Sequence, residues 1–380
     1  LVVEALATAS TRVGVLEPLR GRVYQQRHLE AARQLGDGAL YARALCAEAV
    51  WRSARGPRRR QQVDLLLREA AEVSAYDRTP RNAARLTLAR AMTSFMLGDL
   101  SSARPAVDEA HDALDRCGDG RWWELRQAKT YASWIYWMTG DYAEFIRTVP
   151  RWAQEARERD DAFTYSMMTA ATSNEAWLLA DDVARAESQI EEAERTWTLH
   201  RIAPMRWYLA SARANLELYR QSPAKALATL DAAEPAARKA GLAHVHALHA
   251  SMTHLRLRAT LASAAQATSP AQRKAQLASV AVLGRTLARL GTPCTQALAG
   301  LTFATHLELL GRRDEAIVAY RRSHLELCEA HLGGYALAAR WRAASLQGGL
   351  EGETERVDVE QRHAATIVAP SRFFRHLLGG

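Results

Sequence analysis

The segment Ala91-Met92-Thr93-Ser94-Phe95-Met96-Leu97-Gly98-Asp99-Leu100-Ser101-Ser102-Ala103 contains the end of one helix, a tight turn and the start of the next. The first helix stops on Leu97-Gly98, because glycine takes the left-handed position after a helix without a Cβ penalty. Ala91, Ala103 and Ala110 put small side chains where the two helices would cross. The break recurs at Gly14, Gly56, Gly98, Gly140, Asp181, Ser222, Ser269 and Gly311, in steps of 42, 42, 42, 41, 41, 47 and 42. A second series, Asp37, Asp77, Gly118, Asp160, His200, Gly241, Gly291 and Gly333, lies between them. Two interleaved series mean two helices per unit, each about 17 residues long, and self-similarity at this period is the signature of an α-solenoid.

Helix starts are punctuated in the same way. Thr79-Pro80, Ser222-Pro223, Ser269-Pro270 and Thr292-Pro293 each set a capping hydroxyl before a proline at the first helical position. The hydroxyl accepts a free N–H, and proline has none to lose there. No stretch alternates apolar and polar residues as a strand would, so the fold class is all-α. The pattern predicts helices from 17–35 through 334–347, including single helices over 161–179, 182–198 and 243–264. It is already helical at Val2. Ala262 to Ser269 reads as a loop insertion, and Pro150 and Pro235 should kink or break the helices that hold them. Residues 1–348 form the array. Residues 349–380 read as an acidic linker and a short helical tail.

The repeat resembles the tetratricopeptide family in its small residues at the crossings and its Gly-Asp turn. Gly140-Asp141-Tyr142 repeats the turn, as do Gly311 to Ala316 with Tyr320 following; Ala186 with Ala193 and Ala226 with Ala233 keep the register. That family's unit is about 34 residues, so this is a long-helix variant. The resemblance implies a concave wall lined by the first helix of each pair.

Composition narrows the function. Of 380 residues 48% are apolar and 24% charged, a globular balance with no apolar run long enough to span a bilayer. The net charge of +8 is carried by arginine, since Lys129, Lys225, Lys239 and Lys274 are the only lysines. It reads as a solvated basic surface, and no nucleic-acid contact is expected. The four cysteines, Cys46, Cys117, Cys294 and Cys328, are too far apart for a CxxC site and read as small buried hydrophobes of a reducing, cytoplasmic compartment. Phosphate-cradling loops, kinase catalytic triplets and the HExxH zinc motif are absent, so the chain is read as non-catalytic and cofactor-free.

Three clusters are candidates for binding. Eight of the ten tryptophans lie between Trp122 and Trp207. Trp123, Trp134, Trp137, Trp177 and Trp207, with Arg126 and Arg213, either pack the core or line a groove for a protein or peptide partner, since aromatic anchors dominate binding hot spots. Lys129 and Arg206 could add to a basic rim, whereas Asn174 and Asn215 are too few for that family's carboxylate clamp. His244, His246, His249 and His254 crowd one helix but lack nearby thiols or carboxylates to complete a metal site. Arg52, Arg55, Arg58, Arg59 and Arg60 surround a turn, where all can be solvated.

The tail Ile367-Val368-Ala369-Pro370-Ser371-Arg372-Phe373-Phe374-Arg375-His376-Leu377-Leu378-Gly379-Gly380 resembles the closing segment of large bacterial serine/threonine kinases that carry a STAND-type ATPase and a helical repeat region. Ile367, Pro370, Arg372, Leu377 and Gly380 match the pattern; Ala369 and His376 depart from it. The resemblance implies a chain cut from a longer protein, with kinase and ATPase upstream and this array as a sensor arm bound to a protein, a peptide or those upstream domains. The alternative is the sensing half of a STAND-type transcriptional regulator with its DNA-binding module elsewhere.

Overall fold

The computed structural model describes residues 1–75, 79–118, 122–196 and 202–379. The described residues are all-helical, without strands. They form two compact units: Leu1–Ile135 with Ile202–Pro204 and Ala236–His249, and Tyr136–Arg201 with Met205–Pro235 and Ala250–Gly380.

In the first unit, α1 (Val2–Leu16), α2 (Pro18–Leu35), α3 (Gly38–Ser53), α4 (Arg60–Ser74), α5 (Pro80–Met96) and α6 (Leu100–Arg116) follow one another. Chain neighbours pack together, as do α3 and α5. Glu48 is buried between α2 and α3. Burial would raise its carboxyl, but Arg22, at 2.5 and 2.9 Å, and Arg52, at 2.7 Å, hold it below its ordinary value.

The helices α7 (Trp122–Thr139), α12 (Ala203–Tyr219), α13 (Pro223–Lys239) and α14 (His246–Gln266) contribute residues to both units. The second unit contains α8 (Tyr142–Glu158), α9 (Ala162–Thr169), α10 (Glu175–Leu179), α11 (Val183–Thr196), α15 (Pro270–Arg289), α16 (Pro293–Leu309), α17 (Arg313–Glu329), α18 (Gly333–Gln347), α19 (Gly349–His363) and α20 (Pro370–Leu378). From α15 to α19 each helix packs on the next.

At several of the expected breaks a left-handed residue ends a helix: Gly98, Gly140, Gly311, Asp160 and Asp181 take that conformation as expected, and Gln221 and His331 take it in place of Ser222 and Gly333. Asp37 and Ser269 are instead extended residues that cap the next helix. Asp77 and His200 lie outside the described residues. Gly14 is a correction: it sits inside α1, and a Cβ there would lie 2.6 Å from the Trp51 ring. Its smallness serves close helix packing, while α1 ends at Glu17 before Pro18. The crossing alanines Ala91, Ala103, Ala110, Ala186, Ala193 and Ala226 are fully buried; Ala233 is half-buried.

Other expectations need correction. Pro150 and Pro235 do not break α8 and α13. An interior proline costs ~3 kcal/mol, but α8 buries Phe145, Val149 and Trp152 around it, each large side chain contributing about 1.5–3 kcal/mol. The loop expected from Ala262 is helix as far as Gln266, because this alanine-rich stretch favours helix and buries Ala262 and Ala264. The acidic linker is the helix α19, where Arg356 pairs with Glu353 and Glu360 and Arg362 with Asp358, and Val359 packs inward. Cys46 and Cys294 are buried, but Cys117 is half-buried and Cys328 exposed. Burial pushes the Cys46 thiol up to about 12.

Thr292 and Thr295 form a reciprocal capping box at the start of α16, with each side-chain oxygen accepting the other's backbone N–H at 3.2 and 3.1 Å. Thr292→Ala should therefore cost ~1 kcal/mol in urea unfolding, and Thr292→Ser should restore most of it. An unchanged midpoint for the alanine variant would refute the cap's role.

Candidate functional site at the docked C-terminal helix

The helix α20 reads Pro-Ser-Arg-Phe-Phe-Arg-His-Leu-Leu. Proline presets its first turn, and Phe373, Phe374, His376, Leu377 and Leu378 are all buried. Its receptor is built from helices distant in sequence. Phe373 meets Trp137 of α7 edge-on at 5.8 Å and Tyr142 of α8 at 5.6 Å. Phe374 lies 5.9 Å from Trp341 of α18. Gly379 ends the helix in the left-handed conformation, so close to α14 that a Cβ would lie 2.5 Å from the Arg258 carbonyl oxygen.

A polar network completes the contact. Arg258 donates to the His376 carbonyl oxygen at 2.6 and 3.2 Å and to Asn215 Oδ1 at 3.1 Å. A cation on the last-turn carbonyls complements both the unsatisfied acceptors and the negative end of the helix dipole. His376 Nε2 lies 2.9 Å from Glu175 Oε2, and both side chains are 1% exposed. Arg372 donates to Asp181 at 2.9 Å and stacks over Tyr219 at 4.3 Å, while Tyr219 itself donates to Asp181 at 2.7 Å. Ser371 and Trp341 both donate to Glu360 of α19, at 2.6 and 2.7 Å. Upstream of the helix, the Val368 N–H donates to the Leu179 carbonyl at 2.9 Å.

Glu175 reaches this position because its helix is interrupted. The single helix expected over 161–179 is two, α9 and α10, separated by extended Ala170, left-handed Ala171 (φ 50°) and a 3-10 turn over Ala171–Asn174. Thr169-Ala170-Ala171-Thr172-Ser173-Asn174 supplies short polar side chains that compete with helical hydrogen bonding. Asn174 Nδ2 holds the break by donating to the Thr169 and Ala186 carbonyls at 3.3 and 3.1 Å.

The seven candidate groove residues have separate surroundings. Trp137 lines the pocket. Trp207 is a buried core residue, Trp177 donates to Gln189 at 2.6 Å beneath Arg185, and Arg213 is paired with Glu194. Trp134 lies in the first unit against Phe95 and Tyr131, and Trp123 and Arg126 are half-buried in that unit. The residues that sequence reasoning missed are Glu175, Asp181, Tyr219, Arg258 and Trp341. Two had a legible signal: Glu175 beside Ala176-Trp177-Leu178-Leu179, and Arg258 within Leu255 to Leu261, are charges in apolar stretches that require partners.

The charged groups of this arrangement are engaged with one another, and Glu175 and His376 are sealed from solvent. Among the described residues no group of three His, Cys, Asp or Glu is placed to hold a metal ion. His254 instead packs edge-on against Tyr335 at 5.2 Å, its pKa lowered to about 3 by burial and by Arg258. In the arginine cluster, Arg52 pairs with Glu48 and Arg60 lies 3.8 Å from Asp99. No family of proteins, no curated protein and no solved structure matches the chain.

Burial, assisted by Arg258 and Arg372, lowers the His376 pKa from 6.5 despite Glu175 beside it. Glu175, Arg258, Arg372 and Tyr219 therefore surround a neutral imidazole. Below pH 6.5 the undocked tail takes up a proton that the docked tail resists, so docking weakens as pH falls. Amide exchange at Phe373 to Leu377 should show the helix opening more readily at pH 5 than at pH 7, an effect that His376→Gln should remove. Equal opening at both pH values would rule this out.

Proposed function

We propose that this chain is a non-catalytic binding arm, a tetratricopeptide-like α-solenoid of stacked antiparallel helix pairs within a larger bacterial signalling protein. The parent is a serine/threonine kinase with a STAND-type ATPase, and the arm acts in the cytoplasm. Its partner is a protein or peptide, or the upstream domains of the same chain. A ligand that prefers one state of the array shifts the parent between closed and open forms. The observation that carries this reading is a nine-residue helix held by side chains from seven other helices, the kind of recognition a helical groove offers a peptide. The 41–42-residue beat, the buried crossing alanines and the packing of chain neighbours support the solenoid. No helix among the described residues is long and apolar enough to cross a membrane.

The test is the coding sequence upstream of Leu1, followed by deletion of the array from the parent. A kinase catalytic loop and then a phosphate-binding loop are expected, and deletion should change kinase activity. A helix-turn-helix in place of the kinase, or unchanged regulation after deletion, would overturn the proposal.

A further inference from the structure

We infer that α20 is a tethered ligand, and that the pocket it fills takes an exchangeable amphipathic helix from a partner. The partner helix would present an arginine in its first turn, two adjacent aromatics, and leucines one turn later, ending on glycine. This deepens and rests on the binding-arm reading.

Three features separate α20 from ordinary core. First, its receptor is lined with charge. Glu175 faces the neutral His376 imidazole, Asp181 the Arg372 guanidinium and Glu360 the Ser371 hydroxyl, and Arg258 caps the helix end. Glu175 and Arg258 are buried, and a buried charge is costly unless it is hydrogen-bonded, so the two are poor devices for stability alone. They do select a ligand, because an occupant lacking the matching groups leaves Glu175 and Arg258 unpaired in the interior. Second, Arg258 reads helix geometry as well as a side chain, since it binds the main-chain carbonyl of His376 and lies 3.2 and 3.3 Å from the nitrogens of its ring. The occupant must also end on glycine, because a Cβ at Gly379 would strike the Arg258 backbone. Third, the tether runs outside. Ala364, Ala365 and Val368 are exposed, with Ile367 the one buried anchor between α19 and α20, so the helix can leave without threading the array.

The experiment uses the full chain with a protease site placed across Ala364–Thr366. After folding and cutting, a fluorescent peptide spanning residues 366–379 is added and its anisotropy followed. Exchange is expected: the cut tail is displaced, the signal saturates, and unlabelled peptide competes. A peptide carrying Phe373→Ala and Phe374→Ala should compete at least about a hundredfold less well. Light scattering of the uncut chain should give a monomer, as a ligand held in cis requires.

A cut chain that keeps its tail without exchange, or that loses its helical circular dichroism once cut, would show α20 to be structural core. A dimer whose tails cross between copies would equally overturn the cis assignment. Either result removes the support that α20 lends the binding-arm reading, but the reading itself is decided separately, on the parent kinase after deletion of the array.

Discussion

Phe373→Ala should open the C-terminal helix by two to almost four orders of magnitude in its exchange equilibrium, from a loss of about 3–5 kcal/mol. The estimate follows from position. Phe373 is fully buried, and its ring meets Trp137 and Tyr142 edge-on while Phe374 and His376 lie beside it. Truncation removes the transfer energy of a whole ring and leaves a cavity among rigid aromatic walls that cannot collapse into it. Amide exchange along α20 reads the opening, and cleavage at Ala364–Thr366 reads it independently. Leu325→Ala is the control, because Leu325 is 62% exposed and such surface changes move stability by about 0.5 kcal/mol or less. If Phe373→Ala protects α20 as well as the parent sequence does, the helix is not held by this pocket.

The fold was more legible than the site because its signals are local. A left-handed glycine after a helix is a property of a few adjacent residues, so Gly98, Gly140 and Gly311 announce themselves. Thr292 with Pro293 does the same for a helix start. Errors came where a local rule met distant packing. Gly14 reads as a stop until α2 is placed against it, and Pro150 reads as a break until Phe145 and Trp152 are seen buried on either side. The split between α9 and α10 was hidden because Thr169 to Asn174 could belong to a helix; tertiary contacts select the interrupted form. At the site, Trp137 was visible as an aromatic on a first helix, but its partner Phe373 stands far along the chain. Glu175 and His376 are separated by 201 positions, and no spacing rule links them.

Gly140→Ala should be among the most damaging single changes in the second unit, at about 2–5 kcal/mol from two additive causes. Gly140 has φ 73°, where a Cβ costs about 1–2 kcal/mol. That Cβ would also lie 2.5 Å from the Gly334 nitrogen and 2.9 Å from the Gly333 carbonyl carbon. Both are backbone atoms at the start of α18, which cannot swing aside as a side-chain tip can. Gly311→Ala isolates the first cause, because φ is 77° there and nothing lies within 4 Å of the added carbon. The difference between the two variants in urea unfolding therefore measures the close approach alone, and equal losses would mean that the α18 backbone yields. The consequence reaches the pocket. Gly140 joins Trp137 to Tyr142, the two residues whose rings meet Phe373. Displacing this turn from α18 moves that wall, so Gly140→Ala should expose α20 to amide exchange and Gly311→Ala should leave it protected.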